Sequence, residues 1–169
     1  MLGGCSSQLL AHNSNSGIMK KDTLLPPVFL IGEFETQYTE AIQVYETLLL
    51  SACDNDMDEA YSKWVSMLEE MEAYSEEIDF DLKGLKVWFN IFWEPNGQIS
   101  HLAYYLKPVS KNLDLEELNA FFKSFIKNYR FPLVYNKKYS HYGTASFPVF
   151  ARIMQTAPAD QKDLSNGQD

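Results

Sequence analysis

The sequence predicts an α+β domain in which an N-terminal helical pair packs with a small antiparallel sheet, in the order helix-helix-β-β-helix-β. Three observations predict it. Apolar residues recur at helical spacing through two consecutive segments before residue 80. A run of β-branched and aromatic residues then leads into a Pro95-Asn96-Gly97 turn signal and out into a second such run. Past that hairpin, one more amphipathic stretch is followed by a short apolar segment that closes the domain.

Each element has its own signal. Val28, Phe29, Leu30 and Ile31 form a short apolar entry segment or strand after Pro26-Pro27, and Gly32 breaks it. Tyr38, Ala41, Ile42, Tyr45, Leu48, Leu49 and Ala52 follow the i, i+3, i+4, i+7 rule and predict one helix over residues 36–52. Asp56 with Glu59 makes a capping-box-like pair at the start of a second helix. Its apolar stripe is Met57, Ala60, Tyr61, Trp64, Met67 or Leu68, Met71 and Tyr74, and a short turn predicts that the two helices lie antiparallel. In residues 86–93, Val87, Phe89, Ile91 and Trp93 fall on one face of a strand and Trp88 and Phe92 on the other. The partner strand spans residues 98–106. Asp114 with Glu117 caps a third helix carrying Leu115, Leu118, Phe121, Phe122, Phe125, Ile126 and Tyr129. A loop rich in Tyr and Lys comes next, and the last strand is expected within residues 146–153, where Pro148 makes it an edge or bulged strand.

Composition sets the outer bounds. At 169 residues the chain holds one well-buried core, expected over residues 26–155 and flanked by a leader and tether (1–25) and a disordered polar tail (156–169). The net charge of −9 excludes a basic nucleic-acid footprint, so no nucleic acid is expected as a partner. Residues 33–81 carry a net −14 and residues 82–153 a net +6, so the two segments attract each other or steer partners of opposite sign. Of the two cysteines, Cys53 ends an apolar helical stripe and reads as a small core residue, whereas Cys5 stands among small polar residues.

Met1-Leu2-Gly3-Gly4-Cys5-Ser6-Ser7 resembles the end of a bacterial lipoprotein signal peptide, where an aliphatic residue and two small ones precede a lipidated Cys. The resemblance implies lipidation at Cys5, a charged and an apolar region upstream of Met1, and attachment to the cell envelope at the outer membrane or in the periplasm. The polar stretch Asn13-Ser14-Asn15-Ser16-Gly17 suits a spacer between lipid and domain.

The second half resembles the C-terminal domain of TonB-type energy transducers over about 70 residues. The matching pieces are Val87-Trp88-Phe89-Asn90-Ile91, Asn96-Gly97-Gln98-Ile99, the helix after Asp114, Tyr129-Arg130-Phe131-Pro132, and Phe147-Pro148-Val149-Phe150. The transducers' transmembrane anchor and long Pro-rich spacer have no counterpart in these residues, so the resemblance implies binding within the envelope without energy transduction. Strand addition near residues 147–153 is the mode it suggests.

Residue chemistry adds one candidate surface. Tyr135, Tyr139, His141 and Tyr142, with Phe147 and Pro148 beyond them, form an aromatic stretch suited to stacking or peptide binding, or else to packing over the sheet. His141 has no second His, Cys or Asp at ligand spacing, so neither a metal nor another cofactor is expected. The acids Glu69, Glu70, Glu72, Glu76, Glu77, Asp79 and Asp81 read as a solvated helix face. No Gly-rich phosphate loop, G-x-S-x-G elbow or Cys/His nucleophile pair is present. The sequence thus leads to a non-enzymatic, lipid-anchored envelope protein that binds a protein or peptide. The alternative is a small-ligand-binding or weakly catalytic domain with a pocket between sheet and helices, lined by Trp88, Phe92, Tyr104 and His141.

Overall fold

A computed structural model describes residues 24–150. The chain begins with strand β1 (Val28–Leu30) and helix α1 (Glu35–Val44), followed by a two-residue strand β2 (Thr47–Leu48) and a single helical turn, α2 (Leu49–Ala52). The long helix α3 (Met57–Glu77) leads to the hairpin β3 (Lys86–Trp93) and β4 (Ile99–Leu106), then to α4 (Leu115–Asn128) and β5 (Tyr139–Ser146). The five strands form one mixed sheet ordered β1-β4-β3-β5-β2. The inner pairs are antiparallel, while β1 and β2 add at the two edges in parallel. The fold class is α+β, as expected, but the sheet is larger and the helices are differently disposed.

The helix expected over 36–52 does not run through. Tyr45 is buried in the small cluster with Phe29, Ala41, Phe92 and Ala103, on one face of the sheet. Leu49, one turn later, is buried in the main cluster with Met67, Phe89 and Phe122, on the other face. An unbroken helix would hold residues i and i+4 on one stripe, and so on one face. The chain therefore leaves the helix at Tyr45, passes the sheet edge as β2, and restarts as α2. For the same reason the expected antiparallel helical pair is absent, because α1 and α3 lie against opposite faces.

The remaining elements follow local chemistry closely. Asp56 Oδ1 accepts the Glu59 amide at 3.0 Å, and Asp114 Oδ1 accepts the Glu116 and Glu117 amides at 2.8 and 3.0 Å. Both helix starts are thus capped as their sequences indicate. In the β3–β4 turn Gly97 has φ 79°, and a Cβ there would collide with the Phe131 carbonyl oxygen. That close approach lets the Phe131 amide donate to Gly97 O at 2.9 Å, tying the chain after α4 to the hairpin. The main core fills the space between the sheet and α3 and α4, where Phe89 meets both Trp64 and Phe122 edge-on. One of the three ion pairs among the described residues, Lys111 to Asp81 at 2.6 Å, joins the acidic and basic segments.

The closing strand is the largest departure. Strand β5 takes residues 139–145, expected as a loop, and ends at Ser146, where the last strand was expected to begin, and residues 147–150 lie beyond it. Pro148 is neither in an edge strand nor at a bulge, and β5 lies between β3 and β2. The transducer-like Phe147-Pro148-Val149-Phe150 step is accordingly not a strand. Cys5, residues 1–23 of the leader and tether, and the polar tail fall outside the described residues, as do residues 151–153 of the expected strand, whereas Leu25, assigned to the tether, packs against the small cluster. No helix among the described residues is long and apolar enough to cross a membrane.

Candidate functional site

Strand β5 carries the most site-like geometry, and its period of two explains it. Tyr139 and His141 point to the α3–α4 face, together with Gly143 and Ala145, because they pair with the inward residues of β3. Ser140, Tyr142, Thr144 and Ser146 point to the α1 face. Phe147 N donates to Leu85 O and its own carbonyl accepts from Gly84 N, which fixes the phase of the ladder. In that phase alternate residues turn their backbone groups towards β3, while Tyr142, Thr144 and Ser146 turn theirs outward. Strand β2 reaches only Tyr139 and Ser140. Among the described residues no backbone hydrogen bond meets the outward groups of the other three.

Beside this edge, the α1 face of the sheet is only partly covered. Helix α1 seals Phe29, Phe92 and Ala103, and its border is marked by Asn90 Nδ2 donating to the Tyr38 hydroxyl at 3.0 Å. Past that border Trp88, Tyr105 and Tyr142 stand 38, 53 and 52 % exposed. The Trp88 and Tyr142 rings are 5.4 Å apart, and Lys107 Nζ sits 5.3 Å above Trp88. Three exposed rings and a cation so close to an unpaired strand edge form a surface that can grip an extended chain.

The structure divides the aromatic stretch read from the sequence. Tyr139 is fully buried and stacks on Trp93 at 5.3 Å, its hydroxyl donating to Leu133 O at 3.0 Å. Burial pushes its phenol well above the ordinary range. Phe147 is also core. Tyr135 is half-buried, edge-on to Tyr139 at 6.3 Å. His141 packs on Trp64 at 4.6 Å, where burial holds its imidazole below the usual value and hence neutral at pH 7. Tyr142 and Pro148 are exposed, Tyr142 on the opposite face from His141. The pocket expected from Trp88, Phe92, Tyr104 and His141 does not form. Trp88 and Phe92 point to the α1 face, Tyr104 and His141 to the other, and Phe92 and Tyr104 are fully buried.

Two polar features were missed in the sequence. The Tyr45 hydroxyl donates to Glu94 Oε1 at 2.6 Å, and Lys138 Nζ lies 3.1 Å from the same oxygen and 4.9 Å over the Tyr45 ring. Burial pushes the Glu94 carboxyl up, but the hydrogen bonds from Tyr45 and Lys138 outweigh it and leave the group below its ordinary value. Burial and Glu94 both raise the Tyr45 phenol. No spacing rule joins residues 45, 94 and 138. The second is Glu72, which is buried on α3 and accepts the Val149 amide at 3.1 Å through Oε2. It breaks the solvated-face reading of the α3 acids, since it anchors the chain that leaves β5. Among the described residues, no group of three or more His, Cys, Asp or Glu could hold a metal ion.

The fold and surface define an α+β domain with a five-stranded mixed sheet, helices on both faces and an incompletely paired outer edge on β5. Neither a family model nor a curated protein nor a solved structure matches the chain.

Proposed function

We propose that this protein is a non-enzymatic, lipid-anchored protein of the bacterial envelope that captures a protein or peptide segment by strand addition to β5. The observation that carries the reading is the free edge. Strand β2 pairs with Tyr139 and Ser140 alone, leaving the outward backbone groups of Tyr142, Thr144 and Ser146 open among the described residues. Strand addition supplies backbone hydrogen bonds at such an edge, and side-chain contacts on either face add selectivity. Here the α1 face offers the exposed Tyr142 beside Trp88, whereas on the other face His141 is packed on the buried Trp64. The resemblance of residues 1–7 to a lipoprotein processing site supports anchorage through Cys5. The hairpin-helix-strand order of the transducer-like half supports a binding role.

A photo-crosslinking phenylalanine analogue at Ser146 tests the edge in living cells. A discrete adduct should form and should vanish when Thr144→Pro removes an outward N–H. Proline is tolerated at a strand edge, so circular dichroism should still show the folded domain. An adduct that survives Thr144→Pro, or one no stronger than from the analogue at Glu116 on α4, would refute strand addition. Anchorage has a separate readout: a radioactive fatty acid should label the native protein and fail to label Cys5→Ser.

A further inference from the structure

Helices α3 and α4 leave a groove of about 200 Å³ along their seam, on the far side of the sheet from the exposed Trp88 and Tyr142 rings. Glu70, Ala73, Tyr74 and Glu77 line it from α3 at i, i+3, i+4 and i+7, and Phe125, Asn128 and Tyr129 line it from the C-terminal end of α4. The methyl of Ala73 is what keeps it open, since a longer side chain at that exposed helical position would fill it.

The walls are aromatic and fixed. Phe125 and Tyr129 stack at 4.8 Å, and Tyr74 lies 6.0 Å from Phe125 with its plane tilted by 52°. The Tyr74 hydroxyl shares a hydrogen with Ser124 Oγ at 2.5 Å and accepts from Asn128 Nδ2 at 3.2 Å. Asn128 Nδ2 also donates to Ser124 O at 3.1 Å. These polar groups therefore hold the rings in place and are already engaged.

The charge is one-sided. Glu70 and Glu77 line the groove with no basic residue in its lining, and none of the ion pairs among the described residues uses either carboxylate. Burial raises the Tyr129 phenol well above its usual range, and the charge of Glu70 adds to the effect. The ring stays neutral and its face stays electron-rich. An anion would meet two carboxylates here, and a neutral apolar guest would strip them of water without compensation. A hard metal ion would need several converging oxygens, which aromatic walls do not supply. A primary ammonium could pair with a carboxylate, but the wall acceptors that would complete its N–H shell are already engaged, so it would lose part of its hydration without replacement. A quaternary ammonium has no N–H to satisfy, and its diffuse charge suits an aromatic wall flanked by carboxylates.

We propose that the α3–α4 groove is a binding site for a small quaternary ammonium cation, seated against Tyr74 and Tyr129 with Phe125 at its floor, and held by Glu70 and Glu77. It is independent of the β5 edge and of any strand bound there.

Amide NMR titration of the full chain with tetramethylammonium chloride tests the site. Saturable shifts should appear at Ala73, Tyr74, Asn128 and Tyr129, while neopentyl alcohol, a neutral guest of similar shape, and sodium chloride at equal ionic strength should leave them in place. Ala73→Leu should abolish the shifts in a protein whose remaining spectrum is unchanged. The double variant Glu70→Gln, Glu77→Gln should weaken binding by about fivefold. Equal shifts with the neutral alcohol, retained binding in Ala73→Leu, or shifts that never saturate would overturn the proposal. Phosphatidylcholine vesicles should not pellet the unlipidated chain; pelleting lost in Ala73→Leu would overturn the free cation as ligand in favour of a lipid headgroup.

Discussion

Gly143→Ala is the sharpest probe of how β5 meets α3. A Cβ at this position would stand 2.8 Å from Trp64 Cζ2, 3.0 Å from Trp64 Cε2 and 2.9 Å from His141 Nε2. Carbon atoms pack comfortably at about 3.5 Å or more, so the indole must retreat by about 0.7 Å. It has little room, because Trp64 is 6 % exposed and meets Phe89 at 6.4 Å. Overpacking of this kind costs about 1–3 kcal/mol. The backbone at Gly143 is ordinary strand paired to Phe89, so alanine also restricts the unfolded chain, which returns about 0.4–1 kcal/mol. The net expectation is a loss of about 1–2 kcal/mol, or a midpoint lower by about 3–8 °C. Urea unfolding followed by tryptophan fluorescence measures it. Trp64→Phe shrinks the ring that meets the new Cβ and gives the His141 ring packed on it room to move, so adding Gly143→Ala to that background should cost clearly less than in the native protein. Equal losses in both backgrounds would show that the collision with Trp64 is not the cause, and would refute the reasoning.

Two more predictions follow from named hydrogen bonds. Tyr45→Phe removes the 2.6 Å bond to Glu94 and should cost about 1–2 kcal/mol, the low part of the range for bonds to charged groups because the Glu94 side chain is 30 % exposed. Glu94 titrates below its ordinary value in the folded state, so its contribution is present above about pH 4.3 and is lost as pH falls through the folded value. Tyr45→Phe should move the carboxyl upward in a carbon-13 NMR titration and flatten the acid limb of stability; an unmoved carboxyl would contradict the assignment. At α4, Asp114→Ala orphans the Glu116 and Glu117 amides and should cost about 1 kcal/mol with faster hydrogen exchange at both, whereas Asp114→Asn should retain most of the stability. Unchanged exchange at the two amides in Asp114→Ala would rule out the cap as a source of stability.

Part of the fold and little of the site were legible in the sequence, and particular residues show why. The hairpin was legible because alternation in residues 87–93 and the Asn96-Gly97 turn are local signals. The starts of α3 and α4 were legible because an N-cap acts over three residues. The stretch 139–146 was not, since its two faces, Tyr-His-Gly-Ala and Ser-Tyr-Thr-Ser, show no apolar-polar alternation. Its inward Gly143 makes sense only beneath Trp64, a neighbour 79 positions away by sequence number. The aromatic stretch that looked like one surface was split by that same alternation, which sends Tyr139 and His141 one way and Tyr142 the other.

By itself the sequence determined the α+β class, the hairpin and its two faces, the caps, and most of the amphipathic stripes of α3 and α4, from which the exposed Met57, Tyr61 and Leu115 drop out. The tertiary structure decided that residues 36–52 break at Tyr45, that α1 and α3 take opposite faces, and that β5 pairs inside the sheet with one edge open. It also brought Tyr45, Glu94 and Lys138 together, buried Glu72, and faced Glu70 and Glu77 across Tyr74 towards Phe125 and Tyr129. The physical reason is common to these cases. A helical stripe states which residues seek burial but not which face of a sheet will bury them, and that choice is made by partners distant in the chain.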